Sequence, residues 1–271
     1  MCGWRLDKGT GVTPLKVSQN IVFVGSDSHF THNLLREIFS PHQEILCPPP
    51  LHLIADQALA YTNFVTAESF LKEYLLSAND RDSLFAQLIM MAPQSLLRQR
   101  SAKCLIETSP ENRNYFSLLG EILPDCRRVF LIRDGRDVVA SLVSSEEVSW
   151  LHENQDRREK IQALANYWLD CIYKGLRDLS SRGDHDNPVS IIFYEDLFND
   201  SKYLTTIGSL LPIENSWFNL ETLRSPSTLV SNEIIQPGLW RGAFTNDELS
   251  LLKISLQEVL GSLGYLHRDP F

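Results

Sequence analysis

Residues 129–141 read Val-Phe-Leu-Ile-Arg-Asp-Gly-Arg-Asp-Val-Val-Ala-Ser. The apolar run at 129–132 predicts a buried strand, residues 133–135 a turn, and the residues from Asp137 a helix. A strand that turns directly into a helix brings free backbone N–H groups and the positive end of the helix dipole beside Arg133. Arg133 can bind a phosphate through two parallel hydrogen bonds, and Ser141 adds a hydroxyl two helical turns later. The run therefore indicates a phosphate site; the alternative is a surface turn with a solvated basic pair.

The same run resembles the 3′-phosphate-binding signature of the sulfotransferases that use 3′-phosphoadenosine 5′-phosphosulfate (PAPS). In that family, an arginine at the strand end and a serine eight positions later hold the 3′-phosphate of the co-substrate. The resemblance gives those roles to Arg133 and Ser141. It implies a fold in which a P-loop-like parallel sheet is flanked by helices.

Three further segments resemble the family in the same order, from about residue 20 to Tyr265, and point to its bacterial and tyrosylprotein-like branch. Residues 106–128 resemble the segment that precedes the signature in bacterial members. Residues 191–197 resemble a strand ending in Tyr-Glu-Asp-Leu, which implies that Tyr194 lies near the adenine. Residues 237–241 resemble a late Gly-Arg-Trp-Arg segment, which implies that Trp240 and Arg241 cap the nucleotide; Trp240 could instead fill the core.

The loop after the first predicted strand departs from the family pattern. Relatives carry a lysine or arginine, a glycine and two threonines there, which hold the 5′-phosphosulfate. In register with that loop, His29 takes the basic position and Thr31, His32 and Asn33 follow, while Asp27 adds a negative charge. An ordinary imidazole, with a pKa of about 6.5, is mostly neutral at pH 7, but all these side chains can still donate hydrogen bonds. The loop is therefore either a working replacement or the remnant of a lost site.

Sulfuryl transfer needs a base that takes the proton of the acceptor hydroxyl. The resemblance places the base after the first helix or on the strand before the signature, where His52 and Glu107 are the candidates. His52 could instead pack on a helix, and Glu107 could cap the following one. His29, at the position of the lost cation, is a third catalytic candidate.

Composition limits the function classes. The chain has 271 residues, 43% hydrophobic and 22% charged, and a formal net charge of −9. This charge argues against a general nucleic-acid or anionic-membrane binder. We recognise no signal peptide, no membrane span and no metal-binding spacing among the five cysteines, so we expect a cytoplasmic protein without a metal, or a domain of a longer protein.

Strand and helix patterns alternate, which predicts an α/β fold with a parallel sheet. Residues 1–18 read as a flexible lead and 19–271 as one domain. Strands are predicted at 20–25, 103–108, 128–132 and 189–193. Helices are predicted from 31 or 33 to 39 and at 136–144, 156–181, 201–210 and 245–263, with a helical insert at 52–61, 66–77 and 82–99.

These observations favour a PAPS-dependent sulfotransferase whose acceptor is a hydroxyl of a small molecule, lipid or carbohydrate. An inactive relative that binds a nucleotide or a protein is the second hypothesis, and an enzyme of the same fold with another phosphoryl or sulfuryl donor is the third. A Walker-type kinase is disfavoured because no Gly-Lys-Ser/Thr follows the first strand.

Overall fold

The structure is a computed structural model, and it describes residues 20–27, 31–39, 42–66, 77–143, 155–180, 189–198 and 236–271. Five parallel strands form one sheet in the order β2-β3-β1-β4-β5. The strands are β1 (Ile21–Ser26), β2 (Ile45–Leu46), β3 (Cys104–Glu107), β4 (Arg127–Ile132) and β5 (Ser190–Phe193).

Nine α-helices lie within the described ranges. They are α1 (Thr31–Phe39), α2 (Leu53–Thr66), α3 (Ala78–Arg100), α4 (Phe116–Ile122), α5 (Gly135–Val143), α6 (Arg157–Ser180), α7 (Trp240–Ala243), α8 (Asn246–Ser262) and α9 (Tyr265–Arg268). The same ranges contain two 3₁₀ helices: Pro110–Asn114 begins after a two-residue connection from β3, and Tyr194–Phe198 follows β5 directly. The parallel sheet with its flanking helices confirms the predicted α/β fold.

The core has two layers because successive side chains of a strand point to opposite faces of the sheet. Ile21 and Phe23 of β1 pack on the larger face, where Trp168 of α6 and the helices of the insert lie. Val22 and Val24 pack on the other face, against Leu34 and its neighbours in α1. Both layers are buried, so side chains pack against the sheet on both of its faces.

The predicted strands agree with the observed ones within two residues at each end, but β2 was not predicted. Two residues are too few to produce a strand pattern, and three prolines follow at 48–50. Helix α3 begins four residues earlier than predicted because Ser77 caps it, in a reciprocal capping box with Asp80. The predicted lead at 1–18 and helix at 201–210 lie outside the described residues, as does nearly all of the 66–77 helix.

In the part of the chain that the structure describes, no helix is both long and apolar enough to cross a membrane. Within the same ranges, no group of three or more histidine, cysteine, aspartate or glutamate side chains could hold a metal ion.

Candidate functional site

The carboxyl ends of three neighbouring strands form the candidate site. Strand β4 pairs with β1 on one side and with β5 on the other, all parallel. The residues that follow these strands therefore come out at one edge of the sheet: Asp27 after β1, Arg133 after β4 and Tyr194 after β5. Crevices at this edge are where open α/β sheets bind their ligands.

Arg133 is the central side chain of this edge. It is fully buried, and its guanidinium carbon lies 4.9 Å from the centre of the Tyr194 ring. The carboxylate of Asp137 is 3.8 Å from its Nη2. None of its three guanidinium nitrogens has a hydrogen-bond partner among the described residues. A buried guanidinium with unused donors is suited to bind an anion.

The backbone amides around Arg133 differ from the prediction. The sequence predicts free N–H groups at this turn, but in the structure three of them donate to carboxylates. Arg133 N donates to Asp27 Oδ2 at 2.8 Å, Asp134 N to Glu195 Oε1 at 2.9 Å, and Arg136 N to Asp134 Oδ1 at 2.9 Å. The expectation was wrong for these three amides because acidic side chains from outside and inside the turn satisfy them. An anion that binds here would have to accept hydrogen bonds from side chains, because these backbone amides are already occupied.

Asp27 is buried at the end of β1. Its Oδ2 accepts hydrogen bonds from Arg133 N and from Trp168 Nε1, the latter at 2.9 Å, while its Oδ1 has no partner among the described residues. Burial raises the pKa of this carboxyl from 3.8 to about 6, against the opposing effects of the two hydrogen bonds and of the Arg133 charge. Asp27, which was expected to add a negative charge to the loop, is thus buried in the interior.

The second arginine of the motif has a different environment from the first. Arg136 is fully buried, binds the carboxylate of Asp134 through Nε and Nη2, and lies 4.1 Å from the centre of the Trp240 ring. Phe271 lies 4.9 Å from the same guanidinium. Arg136 is therefore a structural residue, and the alternative of a solvated basic pair does not apply.

Ser141 and Tyr194 are the other side chains with predicted phosphate or adenine contacts. Ser141 is partly buried on α5, and its Oγ donates to Val138 O at 2.8 Å, which leaves its oxygen able to accept. Tyr194 is buried, and burial raises the pKa of its phenol far above the usual value. The arginine and the tyrosine are in contact, as described above.

The late segment is held against α5 by one carboxylate. Asp137 accepts hydrogen bonds from Gly238 N at 2.7 Å and from Trp240 N at 2.9 Å. Burial raises the pKa of Asp137, and the Arg133 charge opposes that effect. Trp240 is buried, whereas Arg241 is mostly exposed and pairs with Asp269 at 2.7 Å.

A family model for the sulfotransferase family matches residues 31–206, which is more than half of the chain and includes β3, β4, α5 and β5. The chain belongs to the sulfotransferase family. No protein among the curated sequences matches it.

Two solved structures of sulfotransferase domains are similar to this family member. The sulfotransferase domain from the curacin biosynthetic pathway is 18% identical, with a TM-score of 0.49 over 90% of this chain and 97% of that one. The domain from the olefin synthase of Synechococcus PCC 7002 is 17% identical, with a TM-score of 0.48 over 86% of this chain and 93% of that one.

The two candidate bases of this sulfotransferase lie together at the end of β3. His52 has a largely exposed imidazole, and its Nδ1 is 2.5 Å from Glu111 Oε1. Its backbone N donates to Ser109 Oγ at 2.8 Å. A carboxylate on one ring nitrogen orients an imidazole and leaves the other nitrogen available for a proton.

Glu107 is buried and already has four hydrogen bonds from within the sulfotransferase chain. Leu51 N at 3.0 Å, Ser109 N at 3.1 Å and the Ser109 hydroxyl donate to its Oε1, and the Asn112 side chain donates to its Oε2. These bonds fix the turn that follows β3. The catalytic role of Glu107 stays a prediction, and the geometry supports it less than it supports that of His52.

The candidates in the divergent loop are only partly described. Thr31 begins α1, and His32 and Asn33 follow it with half-buried side chains. His29 lies outside the described residues. The roles of these four residues stay predictions.

Sequence reasoning missed two side chains at this edge. Trp168 of α6 donates its indole N–H to Asp27, and Arg113 donates from its Nη1 to Ser26 O at 2.8 Å. Arg113 lies within the 106–128 segment that resembles the family, but the resemblance gives it no role, and Trp168 lies outside the resembling segments. Only the pairing of segments far apart in the chain brings them here, so no local signal identifies them.

Proposed function

We propose that this sulfotransferase transfers the sulfuryl group of PAPS to a hydroxyl of a small-molecule, lipid or carbohydrate acceptor. The buried guanidinium of Arg133 supports the proposal most directly. Its three nitrogens have no acceptor among the described residues. The guanidinium lies beside the buried ring of Tyr194, and the hydroxyl of Ser141 is carried by α5, the helix that follows the turn. Arg133 would bind the 3′-phosphate, Ser141 would add a hydrogen bond, and Tyr194 would border the adenine.

The acceptor hydroxyl would lose its proton to His52. The acceptor oxygen would form a bond to sulfur while the bond between sulfur and the 5′-phosphate oxygen breaks. This step releases adenosine 3′,5′-bisphosphate. Glu111 on Nδ1 would orient the imidazole so that Nε2 takes the proton. Strand β1 lies between β3 and β4, so the end of β3, where Glu107 and Ser109 hold the backbone of residues 51–52, is two strand spacings from the end of β4, roughly 10 Å. This separation leaves room for the nucleoside between them.

An inactive, nucleotide-binding relative is the second candidate function. The observation in its favour is Asp27, whose buried carboxylate lies at the start of the loop that would hold the phosphosulfate. A carboxylate there repels the anionic end of the co-substrate when it is ionised. Such a relative would bind the bisphosphate through Arg133 and gain nothing from the sulfonate.

Calorimetry with adenosine 3′,5′-bisphosphate and then with PAPS tests the proposal. We expect the wild type to bind both, and Arg133→Ala to weaken both by about tenfold to a hundredfold, since a charge-assisted phosphate contact contributes roughly 1.5–3 kcal/mol. Ser141→Ala should have a smaller effect. Arg127→Ala, at the opposite end of β4, is the control and should bind like the wild type.

Three outcomes separate the candidates. Unchanged affinity in a folded Arg133→Ala protein contradicts the co-substrate assignment. Binding of the bisphosphate without any transfer of sulfonate from PAPS to a panel of alcohols, sugars and lipids favours the inactive relative. Transfer that disappears in His52→Ala, while PAPS affinity is retained, supports His52 as the base.

A further inference from the structure

We propose that Arg113 supplies the positive charge that binds the 5′-phosphosulfate end of the co-substrate. This inference rests on the proposed function and extends it to the half of the site where the sequence lacks a cation. Residues 26–33 contain no lysine or arginine, although a phosphosulfate carries negative charge at that end. A cation that is permanently charged, unlike the imidazoles of His29 and His32, must therefore come from another segment of the chain.

The guanidinium of Arg113 is fixed at the base of this loop. Arg113 is 8% exposed, and its Nη1 donates to Ser26 O at 2.8 Å and to Pro110 O at 2.9 Å. Ser26 is the last residue of β1, so its carbonyl marks the point where the strand gives way to the loop. The two carbonyls hold one side of the guanidinium at the carboxyl edge of the sheet.

Gly25 permits this position. A Cβ on Gly25 would lie 2.3 Å from the backbone N of Arg113 and 2.7 Å from its Cα. Any other residue at 25 would push away the 3₁₀ helix that carries Arg113. The absence of a side chain on β1 thus brings Arg113 to the start of the loop.

The charge of Arg113 is not neutralised by an ion pair within the described residues. Its Nε is buried without a hydrogen-bond partner there, and no described carboxylate lies within ion-pair distance. Asp27 is the nearby acid, but its Oδ2 is bound to Arg133 N and Trp168. A buried cation with an unused donor is costly unless an anion joins it.

The charge of Arg113 acts on ionisable groups near the end of β1. Its charge opposes the rise in the pKa that burial causes for Asp27, and it does the same for Tyr167 and Cys171 on α6. The same field would stabilise a phosphosulfate bound at the end of β1. Arg113 and Arg133 would then hold opposite ends of one nucleotide.

A purely structural role is the competing explanation. The two carbonyl contacts could simply fasten the 3₁₀ helix to β1. The two roles differ in one measurable respect: a binding role affects ligands that carry a 5′-anion, whereas a structural role affects every ligand of the site alike.

Calorimetry with three ligands separates the roles: adenosine 3′-monophosphate, adenosine 3′,5′-bisphosphate and PAPS. We expect Arg113→Met to weaken the bisphosphate and PAPS by about tenfold to a hundredfold and to leave the 3′-monophosphate within about twofold of the wild type. Arg133→Met should weaken all three. Arg128→Met is the matched control, because Arg128 is also buried and donates from Nη1 to a backbone carbonyl, that of Phe116, but at the amino end of β4.

Arg113→Lys provides a second variant in case the methionine variant does not fold. Lysine restores the charge but cannot hold two carbonyls and donate outward in the same way. The preference for the bisphosphate over the 3′-monophosphate should therefore fall at least about threefold below that of the wild type. A wild-type preference in Arg113→Lys, or equal or absent effects on all three ligands in Arg113→Met, would overturn the role of Arg113. If the wild type binds none of the three ligands, the proposed function itself fails.

Discussion

The carboxylate of Asp27 lies in the interior between the amide of Arg133 and the indole of Trp168. Its pKa in the folded protein, about 6, is above its ordinary value of 3.8. Folding therefore favours the protonated form, and the ionised form costs stability. This cost is fully present above the folded pKa, decreases as the pH falls from about 6 to about 4, and vanishes below the unfolded pKa.

We expect Asp27→Asn to be more stable than the wild type at pH 8. The difference should reach at most roughly 3 kcal/mol, since two pKa units correspond to nearly that free energy, and it should shrink toward pH 4. The amide oxygen can still accept from Arg133 N and Trp168. Urea unfolding at a series of pH values measures the effect. A variant that is less stable than the wild type by the same amount at every pH would show that the ionised carboxylate is not the cause.

The pH dependence of PAPS binding should have two sources with the same sign. A bound anion favours protonated imidazoles at His29 and His32, and it also favours a protonated Asp27. Affinity should therefore increase as the pH falls from about 8 to about 6. Calorimetry on Asp27→Asn and on the double variant of the two histidines separates the sources, since each should flatten its own part of the dependence. An identical pH dependence in both variants and the wild type would contradict both assignments.

Helix α5 connects the arginine turn to the late segment through Asp137. Its two oxygens accept from Gly238 N and Trp240 N, and an asparagine keeps only one of these acceptors. We expect Asp137→Asn to lower the free energy of unfolding by about 1–3 kcal/mol, because one buried N–H loses its partner. Thermal or urea unfolding measures the loss. Asp170→Asn, which removes only an exposed pair with Lys174, serves as the control and should unfold like the wild type.

The elements show what sequence patterns could and could not predict. Strand β4 and helix α5 carry local apolar patterns and were predicted within one residue at each end. The partners of the turn between them are Asp27, directly after β1, Glu195 of the 3₁₀ helix at Tyr194–Phe198, and Trp168 of α6. Those contacts join residues 35 to 106 positions apart in the chain, so no local pattern identifies which acids would occupy the amides. Arg113 was missed for the same reason.

The net charge of the chain should affect how fast an anionic nucleotide arrives. The formal charge is −9, while the arginines of the site are buried at one edge of the sheet. At long range the nucleotide meets a negative field, which salt screens: the Debye length falls from about 30 Å at 0.01 M to about 10 Å at 0.1 M. We expect the association rate constant of the bisphosphate to rise over this range, and that of the 3′-monophosphate to rise less. Stopped-flow measurements test this; a rate that falls with salt would mean that the local arginines dominate the approach.

One edge of the described sheet offers a second copy of the chain little to pair with. Among the described strands, β2 is the outermost on that side, and it has only two residues before Cys47 and the three prolines. Proline has no N–H, so the chain beyond Leu46 cannot present a continuous row of donors to an incoming strand. A strand from a neighbouring molecule would meet too few backbone N–H and C=O groups along β2 to pair with. This edge of the described sheet is therefore protected against aggregation by strand addition.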